Sequence, residues 1–324
     1  MEIDFDKMEF NVDYYGTTMA IPLNIESSSD IKLKQTTDNR DYVQWNKIGT
    51  EYYPTGKTIK TIDSGLYSVC YSSNIGVGLA KKELLYDELY ELPSKEIGLI
   101  LNDFNVFWNS KDKYNQYSLI HKRGILLYGK PGCGKSAIVT LICKKLINEM
   151  NGVIITINTN TNDDITMLST IMPKFREIEK DKPIVVMMED IDAISNRSGV
   201  SELLNLLDGV NQLENIVYLA TTNYPEQLED RIINRPSRFD RRYEIGLPSY
   251  EVRLEYIKKK VLDDNIDVEK WAKDTDDLSI AHIKELILSV LVYGVKYEEA
   301  LENLKKMKNK AVINEKRIGG FNKN

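Results

Sequence analysis

Apolar strand-like runs alternate with helical stretches through the middle of the chain, and this alternation constrains its fold most strongly. The strand-like runs lie at residues 124–128, 153–158, 184–188 and 216–220, and segments with helical periodicity separate them. Regular alternation of strand and helix produces a parallel sheet with helices on both faces. The runs are almost continuously apolar, as expected when both faces of a sheet are covered. The sequence therefore predicts an α/β core.

A glycine-rich loop follows the first of these runs. Residues 129–136 read GKPGCGKS and fit the pattern G-x-x-x-x-G-K-[ST] without a mismatch. Glycines let backbone N–H groups turn toward phosphate oxygens, and the start of the following helix adds positive potential. We expect Lys135 to reach the β- and γ-phosphates of a nucleotide and the Ser136 hydroxyl to bind Mg²⁺. The predicted nucleotide-binding residues are Gly129, Lys130, Pro131, Gly132, Cys133, Gly134, Lys135, Ser136 and Ala137.

Acidic residues follow the third strand-like run. Residues 184–188 lead directly into Glu189 and Asp190, and Asp192 comes two positions later. Side chains at the carboxyl end of a parallel strand point into the crevice where ligands of α/β sheets bind. We expect one carboxylate to hold the Mg²⁺ shell and another to polarise the attacking water, whereas Asp192 caps the next turn. The alternative is a solvated strand end.

A neutral amide follows the fourth strand-like run. Residues 216–220 precede two threonines and then Asn223. An amide at this edge of a sheet can orient the hydrolytic water through hydrogen bonds without competing for the metal ion. We therefore expect Asn223 to position this water, and a simple turn residue is the alternative.

Two arginines, Arg235 and Arg238, lie three residues apart in a segment with no obvious internal use for them. Arginines donated across a subunit boundary stabilise the charge that develops on the γ-phosphoryl group, by about 10³ to 10⁵ in rate. The sequence therefore predicts that both arginines act on a nucleotide bound to a neighbouring copy. A pair of surface salt bridges is the alternative.

The first 95 residues differ from the rest of the chain in pattern and charge. Short strand-like runs at 12–20, 43–47, 58–62 and 66–73 are separated by turn residues, which predicts a small β-rich domain. This region holds ten basic and fifteen acidic residues, a net charge of −5. The acidity disfavours nucleic acid as its ligand.

The segments around the core are predicted to be mainly helical. Residues 96–123 predict a helix and an ordered connection that lead into the core at 124–248. Isoleucines recur at helical spacing from 280 to 287, which predicts a helical lid over 249–304. Residues 305–324 contain seven basic residues and one acidic residue, and we expect a frayed, solvated tail. Contact of this tail with nucleic acid or an acidic partner is the alternative.

Composition excludes several classes of protein. The 324 residues carry a net charge of −6, unlike a protein whose main ligand is the DNA backbone. Three scattered cysteines and two histidines cannot build a disulfide framework or a four-ligand zinc site. The N-terminus is acidic and no run of about 18 apolar residues occurs, so we expect no secretory signal, no membrane span and a cytoplasmic protein.

Together, the motifs resemble those of the AAA family of ATPases in order and spacing. The resemblance rests on residues 123–136, 188–193, 203–209, 220–223 and 234–240. It extends over 117–247 and, more weakly, to the lid at 278–283, but it does not cover the first 95 residues. It implies a P-loop NTPase core with a helical lid. The residues it identifies are the Walker A loop 129–136, the Walker B pair Glu189 and Asp190, the sensor 1 residue Asn223, and the arginine fingers Arg235 and Arg238.

The resemblance also implies an activity and an assembly. Family members hydrolyse ATP with Mg²⁺, for which Ser136 and Glu189 are the expected ligands here, and they usually form rings with each nucleotide at a subunit boundary. Hexamers are common and are favoured for this chain. The order Glu189 then Asp190 reverses the usual order and is similar to the Bcs1-like branch, some members of which form heptamers. By position, Asp190 would be the catalytic base.

The segment after the second strand-like run bears on the substrate. Residues 158–165 lack the aromatic residue and the glycine that peptide-threading members carry in their pore loop. The resemblance therefore implies a ring homo-oligomer that remodels or moves a protein client, which the domain over 1–95 recognises. Two alternatives stay open, a nucleic-acid-associated ATPase motor and a nucleotide-gated assembly scaffold with little turnover.

Overall fold

The chain divides into two units, Met1–Ile59 and Lys60–Asn324. In the first unit, strand β1 (Met8–Val12) pairs antiparallel with β2 (Thr18–Pro22), and β3 (Gln44–Ile48) pairs antiparallel with β4 (Glu51–Thr55). The computed structural model describes residues 8–12, 18–22, 44–48, 51–55, 58–73, 76–83, 90–157, 163–198, 200–208, 213–235 and 237–319.

A seven-stranded sheet forms the centre of the second unit. Its order is β11-β7-β10-β9-β8-β5-β6, and its pairs are parallel except for the antiparallel hairpin of β5 and β6. The mostly parallel sheet confirms the predicted fold class. The strands are β5 (Gly65–Ser72), β6 (Gly76–Lys82), β7 (Lys122–Tyr128), β8 (Val153–Ile157), β9 (Ile184–Met188), β10 (Ile216–Thr222) and β11 (Arg241–Glu244).

Helices cover the sheet and form the C-terminal region, with a 3-10 turn at Pro225–Gln227 and a π-helical turn at Leu288–Val292. They are α1 (Lys95–Trp108), α2 (Lys111–Gln116), α3 (Lys135–Met150), α4 (Asp164–Ile178), α5 (Ile191–Ser198), α6 (Val200–Asp208), α7 (Asp230–Ile233), α8 (Tyr250–Lys260), α9 (Val268–Asp274), α10 (Ile280–Ile287) and α11 (Tyr297–Gly319).

Both faces of the sheet are buried. Ile154 of β8 lies in an apolar cluster with residues of α1 and α3, whereas its neighbour Ile155 lies in a second cluster with residues of α4 and α6. Successive side chains of a strand point to opposite faces, so a strand covered on both sides must be apolar throughout. This packing explains the continuous apolar runs of the sequence.

Strands β5 and β6 bring part of the predicted N-terminal domain into the core. β5 pairs in parallel with β8, from Gly65 opposite Val153 to Ser68 opposite Thr156. The structure thus separates the chain near residue 59 rather than at the predicted boundary of 95. Periodicity indicates that a strand forms, but the partner strand lies about 85 residues further along the chain.

Other segments of the predicted N-terminal domain also have different outcomes. Residues 58–62, predicted as a strand, have no regular secondary structure. Residues 13–17 of one predicted strand lie outside the described residues.

In the core, residues 158–162 also lie outside the described residues. They belong to the segment 158–165, which lacks the aromatic residue and the glycine of a peptide-threading pore loop.

The predicted helical lid is confirmed, and it has its own apolar core. Trp271 of α9, Ile283 of α10 and Leu304 of α11 are buried together. Helix α11 continues to Gly319, so residues 305–319 are helical, contrary to the predicted frayed tail. The physical reason is composition, because no glycine or proline interrupts the lysine-rich run before Gly319. Within the described residues, no helix is long and apolar enough to cross a membrane.

Candidate active site

The glycine-rich loop lies between β7 and α3, as predicted. Gly129, Gly132 and Gly134 have φ angles of +142°, +75° and +102°, which L side chains rarely adopt. A Cβ atom at Gly129 would lie 2.3 Å from the Ile245 carbonyl oxygen, and one at Gly132 would lie 2.8 Å from the Ser279 Oγ. Glycine is therefore required both by the backbone conformation and by close neighbours.

Lys135 points back into this loop. Its Nζ donates hydrogen bonds to the Gly129 and Lys130 carbonyl oxygens, at 2.7 and 3.0 Å, and to the Asn223 Oδ1 at 2.6 Å. The side chain is 7% exposed, and this burial lowers the pKa of Lys135. A polyanion at the loop would favour the charged form of the lysine and would offer its ammonium group stronger acceptors.

The acidic pair and Asn223 meet at one edge of the sheet. β9 and β10 are parallel neighbours, with Met188 opposite Ala220, so Asp190 and Asn223 emerge side by side. The Asn223 Nδ2 donates to the Asp190 Oδ1 at 3.3 Å. Lys135, Asn223 and Asp190 thus form one hydrogen-bonded row, and the structure brings these predicted residues together.

Two threonines at the end of β10 fix this arrangement, although neither was predicted to have a role in the site. The Asp190 backbone N–H donates to the Thr221 Oγ1 at 3.3 Å, and Asp190 has a φ of +50°. The Thr222 Oγ1 donates to the Asp192 Oδ1 at 2.6 Å. Asp192 is therefore a structural anchor for the turn after β9.

The available ligands for Mg²⁺ are few. Ser136 is exposed in the first turn of α3, and Glu189 is partly exposed after β9. Among the described residues, no group of three or more His, Cys, Asp or Glu side chains could hold a metal ion. One hydroxyl and one carboxylate nevertheless fit Mg²⁺, which usually keeps waters and takes further ligands from substrate phosphates.

A cavity of about 460 Å³ opens beside the loop, a size typical of small-molecule sites. It lies between the core and the lid, and its walls are mainly apolar. Cys133 lines it, and burial raises the pKa of this thiol, so it stays protonated at neutral pH. Other lining residues are Tyr90, Leu92, Pro93, Ser94, Lys95, Glu96, Ile97, Gly134, Ala137, Ile138, Leu141, Ile245, Gly246, Leu247, Pro248, Ser249, Val252, Tyr256, Lys260 and Ile280.

Much of this lining was not predicted as part of a site. Residues 90–97 were assigned to the end of the N-terminal domain and to a connection, and Ile280 was assigned only to the lid core. Their local pattern marks a helix start, with Ser94 capping α1 through a hydrogen bond from the Ile97 N–H. Their position beside the loop arises only from tertiary packing.

The two arginines have different surroundings. Arg235 is exposed, and it makes no hydrogen bond or ion pair within the described part of the chain. Arg238 is only 5% exposed, and its Nε lies 2.6 Å from the Asp208 Oδ2, while its NH1 also donates to the Arg231 carbonyl oxygen. The prediction that neither arginine has an internal partner is therefore wrong for Arg238, because Asp208 lies thirty residues earlier in the sequence.

Comparisons with known proteins agree with this geometry. Residues 125–247 match the model of the ATPase family associated with various cellular activities (AAA). The chain is 28% identical over 241 residues to the ATP-dependent zinc metalloprotease FtsH 2 of Thermoanaerobacter sp. (strain X514), covering 65% of this chain and 46% of that protein. It is 30% identical over 217 residues to the Cell division cycle protein 48 homolog of Archaeoglobus fulgidus, covering 57% and 28%.

The chain spans less than half the length of each of these relatives. The matched residues nevertheless contain the end of strand β7, the glycine-rich loop, the acidic pair, Asn223 and both arginines. Together with the parallel sheet, this match identifies residues 125–247 as a domain of the AAA family of ATPases.

Proposed function

We propose that this protein binds ATP with Mg²⁺ and hydrolyses it to ADP and phosphate. The observation that carries the proposal is the row of Lys135, Asn223 and Asp190, whose side chains are joined at 2.6 and 3.3 Å beside the glycine-rich loop. A cation for phosphates, an amide that can orient water and a carboxylate that can accept a proton are the groups that phosphoryl transfer to water requires.

Each group would have a distinct task. The 460 Å³ cavity would take the base and ribose, which leaves the phosphates at the glycine-rich loop. Lys135 would exchange its bonds to the Gly129 and Lys130 carbonyls for phosphate oxygens. Asn223 would orient the attacking water, and Asp190 would accept its proton.

Ser136 and Glu189 would hold the Mg²⁺ ion, which would neutralise part of the phosphate charge. Because the order of Glu189 and Asp190 is reversed, the shorter carboxylate has to lie closer to the water. From this order we also propose that the chain is closest to the Bcs1-like branch.

We also propose that the protein works as a ring, with a hexamer favoured over a heptamer. Arg235 is exposed and has no partner among the described residues, as expected for a side chain that completes the site of a neighbouring copy. One relative is named as a protease, which supports a protein as the client that the ring remodels or moves. We assign client recognition to the N-terminal residues, of which residues 1–59 lie outside the sheet unit.

The basic residues of α11 give little support to the nucleic-acid alternative. The Lys306 Nζ lies 2.6 Å from the Glu302 Oε1, and the Lys308 Nζ lies 3.7 Å from the Asp277 Oδ2. These lysines are partly neutralised by acidic residues of the same chain, which weakens their attraction for phosphate groups.

Phosphate release from ATP and Mg²⁺ tests the proposed reaction directly. We expect turnover by the wild type, and a decrease of about 10²-fold in kcat for Asn223→Ala with ATP affinity nearly unchanged, because the amide acts on the water. Asn109→Ala, at the C-terminal end of α1, is the matched control and should hydrolyse ATP as the wild type does. Tight ATP binding without turnover by the wild type would reject hydrolysis and favour the scaffold.

A further inference from the structure

The segment that carries Arg235 is fixed to the sheet of its own subunit. Phe239 is buried in the apolar cluster with α4 and α6. The backbone of Arg238 lies against Gly124 of β7, so closely that a Cβ at Gly124 would be 1.5 Å from the Arg238 carbonyl oxygen. The main chain at Arg238 and Phe239 is therefore packed closely against the sheet and β7.

Hydrogen bonds also fix the conformation on both sides of Arg235. Before it, the Asn234 Nδ2 donates to the Asp230 Oδ1 at 2.8 Å. After it, the Ser237 backbone N–H donates to the Asp240 Oδ1 at 2.8 Å, and Ser237 has a φ of +76°. Within the described residues, Arg235 is thus the one guanidinium group of this short segment that is exposed and unpaired.

An ion pair also joins Arg238 to Asp208, the last residue of α6. The Arg238 Nε lies 2.6 Å from the Asp208 Oδ2, and their side chains are 5% and 20% exposed. Lys122 adds a second cation 3.6 Å from the Asp208 Oδ1. If the Arg238 side chain turned away to reach a neighbouring subunit, the mostly buried Asp208 carboxylate would keep only the longer contact with Lys122. Leaving a buried charge with so little compensation is unfavourable.

We propose that Arg238 is a positioning residue that acts within its own subunit. Its ion pair with Asp208 holds the segment so that Arg235 alone is presented to the nucleotide of a neighbouring copy. The inference rests on the proposed function, in which Arg235 completes that neighbouring site. Asp208 is a positioning residue for the same reason, although it touches neither nucleotide nor Arg235.

A double-mutant cycle distinguishes positioning from donation. We expect Asp208→Asn and Arg238→Gln each to lower kcat about tenfold with ATP affinity changed less than twofold, and the double variant to be no worse than either single one. In an Arg235→Ala background, Asp208→Asn should cause no further loss, whereas a merely structural residue would still lower the rate. Asp181→Asn, which breaks the 2.7 Å ion pair with Lys111, is the control and should keep wild-type turnover.

Two results would overturn the proposal. The first is a pair of observations: Asp208→Asn hydrolyses ATP within twofold of the wild type, and Arg238→Gln lowers kcat as much as Arg235→Ala does. Arg238 would then be a second arginine that acts on the neighbouring nucleotide. The other is an additive double variant. If Arg235→Ala itself hydrolyses ATP normally, the proposed donation between subunits fails instead.

Amide hydrogen exchange gives a second measurement that does not depend on activity. Without nucleotide, exchange over residues 231–242 should be several-fold faster in Asp208→Asn than in the wild type or Asp181→Asn. Asp208→Glu, which keeps the charge, replaces Asp208→Asn if that variant does not fold, and it should show a smaller increase. Unchanged exchange in these variants would overturn the positioning role. This result counts whether or not the ATPase rates support the ring, because exchange does not depend on activity.

Discussion

Lys135→Ala is expected to abolish measurable ATP hydrolysis and to weaken nucleotide binding by about 10- to 100-fold. The variant removes a charge-assisted contact to phosphate, worth about 1.5 to 3 kcal/mol in binding, and a further contribution at the transition state. It also removes the hydrogen bond from Lys135 to the Asn223 side chain at 2.6 Å, so the amide that we propose orients the water loses a partner. Phosphate release and the affinity for a fluorescent ATP analogue measure the two effects separately.

The matched control for this variant is Lys145→Ala. Lys145 lies on the same helix α3, and its side chain pairs with Glu149 at 3.2 Å instead of entering the loop. It should bind and hydrolyse ATP as the wild type does. A Lys135→Ala protein with wild-type turnover would mean that the glycine-rich loop is not where the phosphates bind.

Arg235→Ala is expected to lower kcat by about 10³- to 10⁵-fold while ATP binding stays nearly unchanged. The reason is that, in the proposed ring, the arginine would act on charge that develops in the transition state, in a site whose other groups belong to the neighbouring copy. Steady-state rates together with equilibrium ATP binding show whether kcat changes alone. Arg231→Ala is the control, because that exposed side chain pairs with Glu229 at 2.7 Å, and it should keep turnover within twofold.

Mixing two inactive variants tests whether Arg235 acts between subunits. An Arg235→Ala copy keeps an intact loop, and a Lys135→Ala copy keeps its arginine, so a mixed ring contains complete sites where the two meet in the right order. A complete site needs an intact loop from one copy and an intact Arg235 from its neighbour. In an equal random mixture each is present one time in two, so about a quarter of the sites should be complete. No recovery in rings shown to be mixed would indicate that the arginine acts within its own chain.

The hydrogen-bonded row of Lys135, Asn223 and Asp190 is the part of the candidate site that sequence predicted best. Asp190 and Asn223 follow strands that are adjacent in the sheet, and the carboxyl ends of adjacent parallel strands share one edge. Lys135 follows β7, the strand that pairs with β10, at the spacing that the glycine-rich loop fixes. These positions follow from local pattern and fold class, so no long-range information was needed.

The partner of Arg238 and the walls of the cavity could not be predicted from the sequence, because they depend on contacts between distant segments. Asp208 ends a helix and looks like any exposed acidic residue, and only packing brings it within 2.6 Å of Arg238. Tyr90 and Ile280, which both line the cavity, are separated by most of the core in sequence. Such contacts depend on how helices and connections dock, which periodicity does not encode.

The hairpin of β5 and β6 also decides which strand ends the sheet. Without it, β8 would be an edge strand with a row of unpaired N–H and C=O groups and almost no charged side chains, the pattern that promotes edge-to-edge aggregation. The hairpin ends in Lys81 and Lys82 instead, and lysines on an edge oppose such pairing. A shortened protein that begins at residue 96 would lose this protection along with two strands, so a soluble fragment that keeps the sheet should begin near residue 60.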